Sequence, residues 1–203
     1  MFIRRENFKQ YITLYPVVSS IIGINFVIFI LTLVPGFGQE LLFAGASING
    51  LIAQGEWWRV ITSMFIHAGF THVLFNMFSL FLFGPELEKI AGKMRFLTIY
   101  FLAGIFGIAA TYVTQDLYYA SVGASGAIYG IFGAFAALVY YTRNSFPQLK
   151  QIILPLIVIS IIMTFVTPNI NIAAHLGGLV TGFILGFVYF NPKNMIRWRK
   201  KNI

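Results

Sequence analysis

Six long apolar stretches leave this chain few ways to fold: about 17 to 34, 60 to 83, 96 to 113, 122 to 141, 151 to 167 and 171 to 190, each near the roughly 20 residues that cross a bilayer. The alternation of apolar and polar residues that marks a membrane barrel is missing, so the backbone must satisfy its own polar groups as helix. The sequence therefore predicts an all-α polytopic membrane protein with six spans, one domain over residues 1–203. It shows no linker, low-complexity tract or internal repeat. Composition points the same way, since 58% of residues are hydrophobic and only 10% charged, where a soluble domain carries about 25% charge. Ala44 and Ala46 resemble a signal-peptidase site. They lie about ten residues beyond a stretch already long enough to span, so the first helix is expected to be retained.

Charge orients the spans. With the N-terminus in the cytoplasm, Arg4, Arg5 and Lys9 precede the first span, and Lys89, Lys93 and Arg95 lie between the second and third. Arg143 and Lys150 follow the fourth, and Lys193, Arg197, Arg199, Lys200 and Lys201 close the chain. Of the 14 Lys and Arg residues, only Arg59 then falls outside, the cytoplasmic bias expected of a multi-pass plasma-membrane protein with both termini inside. The net charge of +8 reads as anchoring to anionic lipid. Nucleic acid is not an expected partner, because the basic residues are divided among loops and no soluble domain carries them.

The loop between the first two spans, roughly 35 to 59, is the longest and is expected to lie in the outer interface, with Trp57, Trp58 and Arg59 at headgroup level. Ala174, Gly178, Gly182 and Gly186 recur every four residues along the sixth span, and Gly126, Gly130 and Ala134 along the fourth. In lipid such stripes let two backbones approach, so these spans are expected to pack together. The fifth span, QIILPLIVISIIMTFVTP, has no glycine or alanine and is expected to face lipid, loosely held.

Polar groups within spans are costly and mark functional sites by default. His67, His72 and Asn76 belong to the second span, Ser125 to the start of the fourth and His175 to the start of the sixth, all at the outer side. A metal site is disfavoured: His67 and His72 are five apart on a helix, and there is neither cysteine nor a membrane carboxylate to complete a ligand set. No cofactor is indicated. Nucleophilic catalysis instead needs a hydroxyl, a base and donors for an oxyanion. Ser125, His175, and the pair His72 and Asn76 fill those roles. The carboxylates Glu40, Glu56, Asp116, Glu86 and Glu88 all fall outside the membrane, so the expected arrangement is a Ser/His dyad rather than a triad. Gly123 and Gly126 around the serine let a substrate carbonyl come close to the N–H groups of a helix start.

These residues resemble the rhomboid family of intramembrane serine proteases. The likeness runs through EWWR at 56 to 59, HAGFTHVLFN at 67 to 76, GPELEKIAG at 84 to 92, GASGAIYG at 123 to 130 and AHLGGLVTG at 174 to 182. It implies a six-transmembrane-helix rhomboid-like bundle, with Ser125 as nucleophile and His175 as base. It also implies an oxyanion hole from His72, Asn76 and the Ser125 N–H, and Tyr129 packed on the imidazole. His67, Glu88 and Arg59 match structural positions of the family. Substrates, by the same likeness, are single-span membrane proteins cut near the outer face after passing the fifth span. Two other classes stand beside this reading. A small transporter would show inverted repeats and broken helices, and a catalytically inactive rhomboid-like binding protein would lack the serine or the histidine.

Overall fold

A computed structural model of the protein describes residues 4–144 and 147–194. Five of its helices are long and apolar enough to cross a membrane: α6 (Phe70–Ala91), α7 (Lys93–Thr114), α8 (Ser125–Thr142), α9 (Pro147–Val166) and α10 (Ile172–Tyr189). A sixth crossing is made when α1 (Phe8–Leu14) and α2 (Pro16–Thr32), joined at a bend of 113°, are taken as one broken span. Pro16 at the first position of α2 accounts for the break, since it cannot donate to the helix before it. The protein is thus an all-α, multi-pass membrane bundle, as the apolar pattern predicts. The basic tail beyond residue 194 lies outside the described residues.

The second span departs from expectation. It does not run from 60 to 83: residues 59–65 form two short helical turns, α5 (Arg59–Thr62) and a 3-10 turn (Ser63–Phe65), and α6 begins only at Phe70. Extended backbone at Ile66 and at Gly69 separates them, so His67 sits on a link rather than on the span. At its other end α6 continues through Pro85 to Ala91. The acidic residues there read as loop but are paired. Glu88, buried, accepts from the N–H groups of Val17 and Val18 at 3.2 and 2.9 Å and so caps α2, which has no side-chain cap of its own. Glu86 is bound by Arg4 at 2.9 Å.

The loop after α2 is folded into α3 (Phe37–Gly45), α4 (Asn49–Ala53) and a two-residue strand, β1 (Ser47–Ile48), which pairs antiparallel with β2 (Ala120–Ser121). Arg59 is its tie: buried at 3% exposure, it donates to the carbonyls of Phe43 and Ala46 at 2.5 and 2.8 Å and pairs with Glu56 at 2.7 Å. Trp57 and Trp58 remain exposed, as a headgroup-level belt requires.

The centre of the bundle is α7, α8 and α10. A methyl group added at Gly182 would overlap the Gly130 carbonyl, and one at Gly178 the Gly126 carbonyl. The four-residue stripes therefore face each other, as their spacing predicts. α7 joins the same seam, for a Cβ at Gly107 would meet the Ala174 carbonyl at 2.7 Å. With no hydrophobic force between helices in lipid, this close backbone approach supplies the van der Waals contact that holds them. α8 is 72% buried along its apolar window and α9 only 17%.

Candidate active site

The starts of α6, α8 and α10 converge at one end of the bundle. Ser125 is the first residue of α8 and half-buried. The residue after it, Gly126, faces the Ala174 carbonyl, which a Cβ would approach to 3.3 Å, and His175 follows Ala174. One turn beyond Ser125, on the same face of α8, the Tyr129 ring stacks on the His175 ring with centroids 4.0 Å apart and planes 16° from parallel. Tyr129 and the imidazole are thereby stacked on the face of α8 that also carries Ser125. The Ser125 hydroxyl makes no hydrogen bond to His175 among the described residues.

His175 is 6% exposed and its Nδ1 lies 2.9 Å from Thr164 Oγ1 on α9. Thr164 in turn lies 2.5 Å from the Tyr129 hydroxyl, which also donates to the Ser160 carbonyl at 2.5 Å. Neither Thr164 nor Ser160 is among the residues singled out from the sequence. A β-branched polar residue in an otherwise apolar span was the available signal, but Thr commonly bonds to its own helix and carries little meaning alone.

His72 approaches from α6. Gly123 has a φ of +117° and a Cβ there would stand 2.6 Å from His72 Nε2, so only glycine allows both this turn and the histidine beside it. Its N–H donates to the Ser63 carbonyl at 2.8 Å, which fixes the turn just before Ser125. Asn76, buried one turn further along α6, donates from its amide to the His72 carbonyl at 2.9 Å. His67 packs edge-on to His72, rings 5.0 Å apart, and its Nε2 accepts from the Ala124 N–H at 3.5 Å. The three histidines do not gather into a metal set: among the described residues no group of three or more His, Cys, Asp or Glu could hold an ion.

The start of α10 is fixed by Asn171, a second residue unmarked in the sequence. Its side-chain carbonyl caps the helix through the Ala174 N–H at 3.0 Å. Its amide donates to Thr111 Oγ1 on α7 at 2.8 Å and to Ser121 Oγ on β2 at 2.9 Å. One side chain thus binds together the segments that carry His175 and lead into Ser125.

A sequence model of the Rhomboid domain matches residues 54–192. The chain belongs to the rhomboid family. YdcA of Bacillus subtilis (strain 168), a protein named for the rhomboid proteases, is 44% identical over 197 residues, covering 95% of this chain and 98% of YdcA. The Rhomboid protease GluP of the same organism is 39% identical over 156 residues, 76% of this chain but 30% of GluP. RHOMBOID-like protein 5 of Arabidopsis thaliana is 36% identical over 162 residues, 73% of this chain and 52% of that protein. The chain therefore spans 30% and 52% of these two longer rhomboids and nearly all of YdcA. Family membership and the apolar helices together make it a rhomboid-type intramembrane serine protease.

Proposed function

We propose that this rhomboid hydrolyses single-span membrane proteins with a dyad of Ser125 and His175, and that the site end of the bundle faces the outside of the plasma membrane, both termini being cytoplasmic. The observation that carries the reading is the stack of Tyr129 on His175 one turn along α8 from Ser125, with Gly126 against Ala174 drawing the two helix starts together. In the reaction, neutral His175 takes the Ser125 proton as the hydroxyl oxygen attacks the scissile carbonyl. The oxyanion is received by His72, Asn76 and the N–H of Ser125 at the uncapped start of α8. His175 returns the proton to the leaving amine, and water then hydrolyses the acyl-enzyme by the same steps in reverse order. Gly123 lets the His72 ring stand close to the turn before Ser125, where the oxyanion forms.

A helical peptide hides its carbonyls, so substrates with helix-weakening Gly or Pro near the outer boundary are favoured. α9, mostly exposed to lipid and without glycine or alanine, is the side from which such a segment arrives. The dyad is tested by reconstituting the full chain with a panel of single-span proteins and sequencing the new N-termini. Cleavage lost in Ser125→Ala and in His175→Ala supports it, and cleavage retained in either variant overturns it.

A further inference from the structure

A dyad without a carboxylate leaves open what orients its imidazole. A neutral histidine acts as a base only through the nitrogen that lacks the proton, and which nitrogen that is depends on the hydrogen bond made by the other. In this chain the other bond goes to α9. Thr164 is 1% exposed, buried with Ile153 and Ile157 on a helix that for the most part faces lipid. Its hydroxyl has three neighbours: His175 Nδ1 at 2.9 Å, the Tyr129 hydroxyl at 2.5 Å and the carbonyl of Ser160, one turn back, at 3.1 Å.

The donor inventory of this cluster constrains its protons. The Ser160 carbonyl can only accept, and a threonine within a helix characteristically donates to the carbonyl four residues before it. With the Thr164 proton committed to Ser160, its oxygen offers only lone pairs to His175. The Tyr129 hydroxyl lies 2.5 Å from both the Ser160 carbonyl and Thr164 Oγ1; its one proton, shared between them, takes one lone pair of Thr164 and leaves the other for His175.

We propose that Thr164 is a positioning residue that holds His175 with its proton on Nδ1, so that Nε2 presents a lone pair to Ser125. This rests on the dyad assigned above. Thr164 occupies the place in the relay that a carboxylate holds in a triad, but as a neutral acceptor it orients the ring without stabilising a positive charge. Because the acceptor belongs to α9 and the base to α10, orientation of the imidazole is tied to the seating of the lipid-facing helix.

The test uses the full chain in lipid vesicles with one single-span substrate, comparing Thr164→Val, which keeps the shape and removes the hydroxyl, with Thr164→Ser, which keeps the hydroxyl. The valine variant is expected to lose roughly 10–100-fold in kcat, at or below the lower end of the 10²–10⁴ that a general base contributes because the base is misoriented rather than removed, with KM unchanged, and the serine variant to recover most of that loss. In ¹⁵N spectra of ring-labelled histidine, wild-type His175 is expected as the Nδ1–H form, with Thr164→Val shifting it toward Nε2–H. Wild-type kcat in Thr164→Val, a loss of kcat without change of tautomer, or no recovery in Thr164→Ser would each overturn the proposal. If Thr164→Val does not fold, the wild-type spectrum still decides it, since an Nε2–H ground state refutes the role. Ser125→Ala in the same vesicles separates the two readings: cleavage that persists there refutes the dyad itself, whatever Thr164 does.

Discussion

Where α8 meets α10, backbone meets backbone: glycine carbonyls on one helix lie where a methyl group on the other would have to be. Where α9 meets the same pair, buried apolar contact is supplemented by a few hydroxyls, those of Tyr129 and Thr164 reaching the Ser160 carbonyl and the His175 ring. The first contact is continuous and cannot be altered by one side-chain rotation. The second is local, and its polar part depends on single bonds worth about 1 kcal/mol each. Ser125 and His175 are mounted on the continuous contact. α9 is held by the local one, so the seam fixes the helix starts that carry Ser125 and His175 while the ring orientation of His175 follows the seating of α9.

The widest gap between the two contacts is expected from steric changes. Gly182→Val in the seam should cost more than about 3 kcal/mol, beyond the usual cost of overpacking, because the added atoms meet backbone that cannot yield. Gly23→Ala on α2, where a Cβ meets open space, serves as the control and should leave stability within about 0.5 kcal/mol. Unfolding of both variants in detergent micelles reads the difference, and equal effects would remove the distinction between a rigid seam and its surroundings.

Buried ionic ties come next. Arg59→Ala strands the Phe43 and Ala46 carbonyls and should lower stability by about 2–3 kcal/mol, the range for bonds made by a charged donor, with protease accessibility rising first in the loop that contains α3. Glu88→Ala uncaps α2 and should cost about 1–2 kcal/mol, seen as a lower unfolding midpoint. The smallest effect belongs to the lipid face of α9. Ile159→Ala and Ile162→Ala, both exposed, should change stability by less than about 0.5 kcal/mol, and a larger loss would show that α9 is held as firmly as the seam.

The seam was legible because its signal is positional: small residues at a four-residue spacing state which face is closely approached, and Gly178 and Gly182 meet Gly126 and Gly130 accordingly. The start of α8 at Ser125 was legible from its glycines. The limits of the second span were not. Gly84, Pro85 and the charges after them read as the end of a helix, whereas partners more than sixty residues away in sequence, Val17, Val18 and Arg4, satisfy Glu88 and Glu86 and let α6 continue. Thr164 and Asn171 escaped notice for a related reason. An ordinary hydroxyl or amide gains its meaning from the side chain it meets across the fold, here His175 and Thr111, and periodicity within one segment holds no record of that partner.

The most direct test of the account is reaction of the purified protein with a fluorophosphonate, followed by mass spectrometry of the peptide containing residues 121–135. An alcohol activated by an adjacent imidazole should be labelled at Ser125 in the wild type and left unmodified in a folded His175→Ala variant. Labelling that is absent from Ser125 in active wild-type protein, or that persists undiminished without His175, would contradict it.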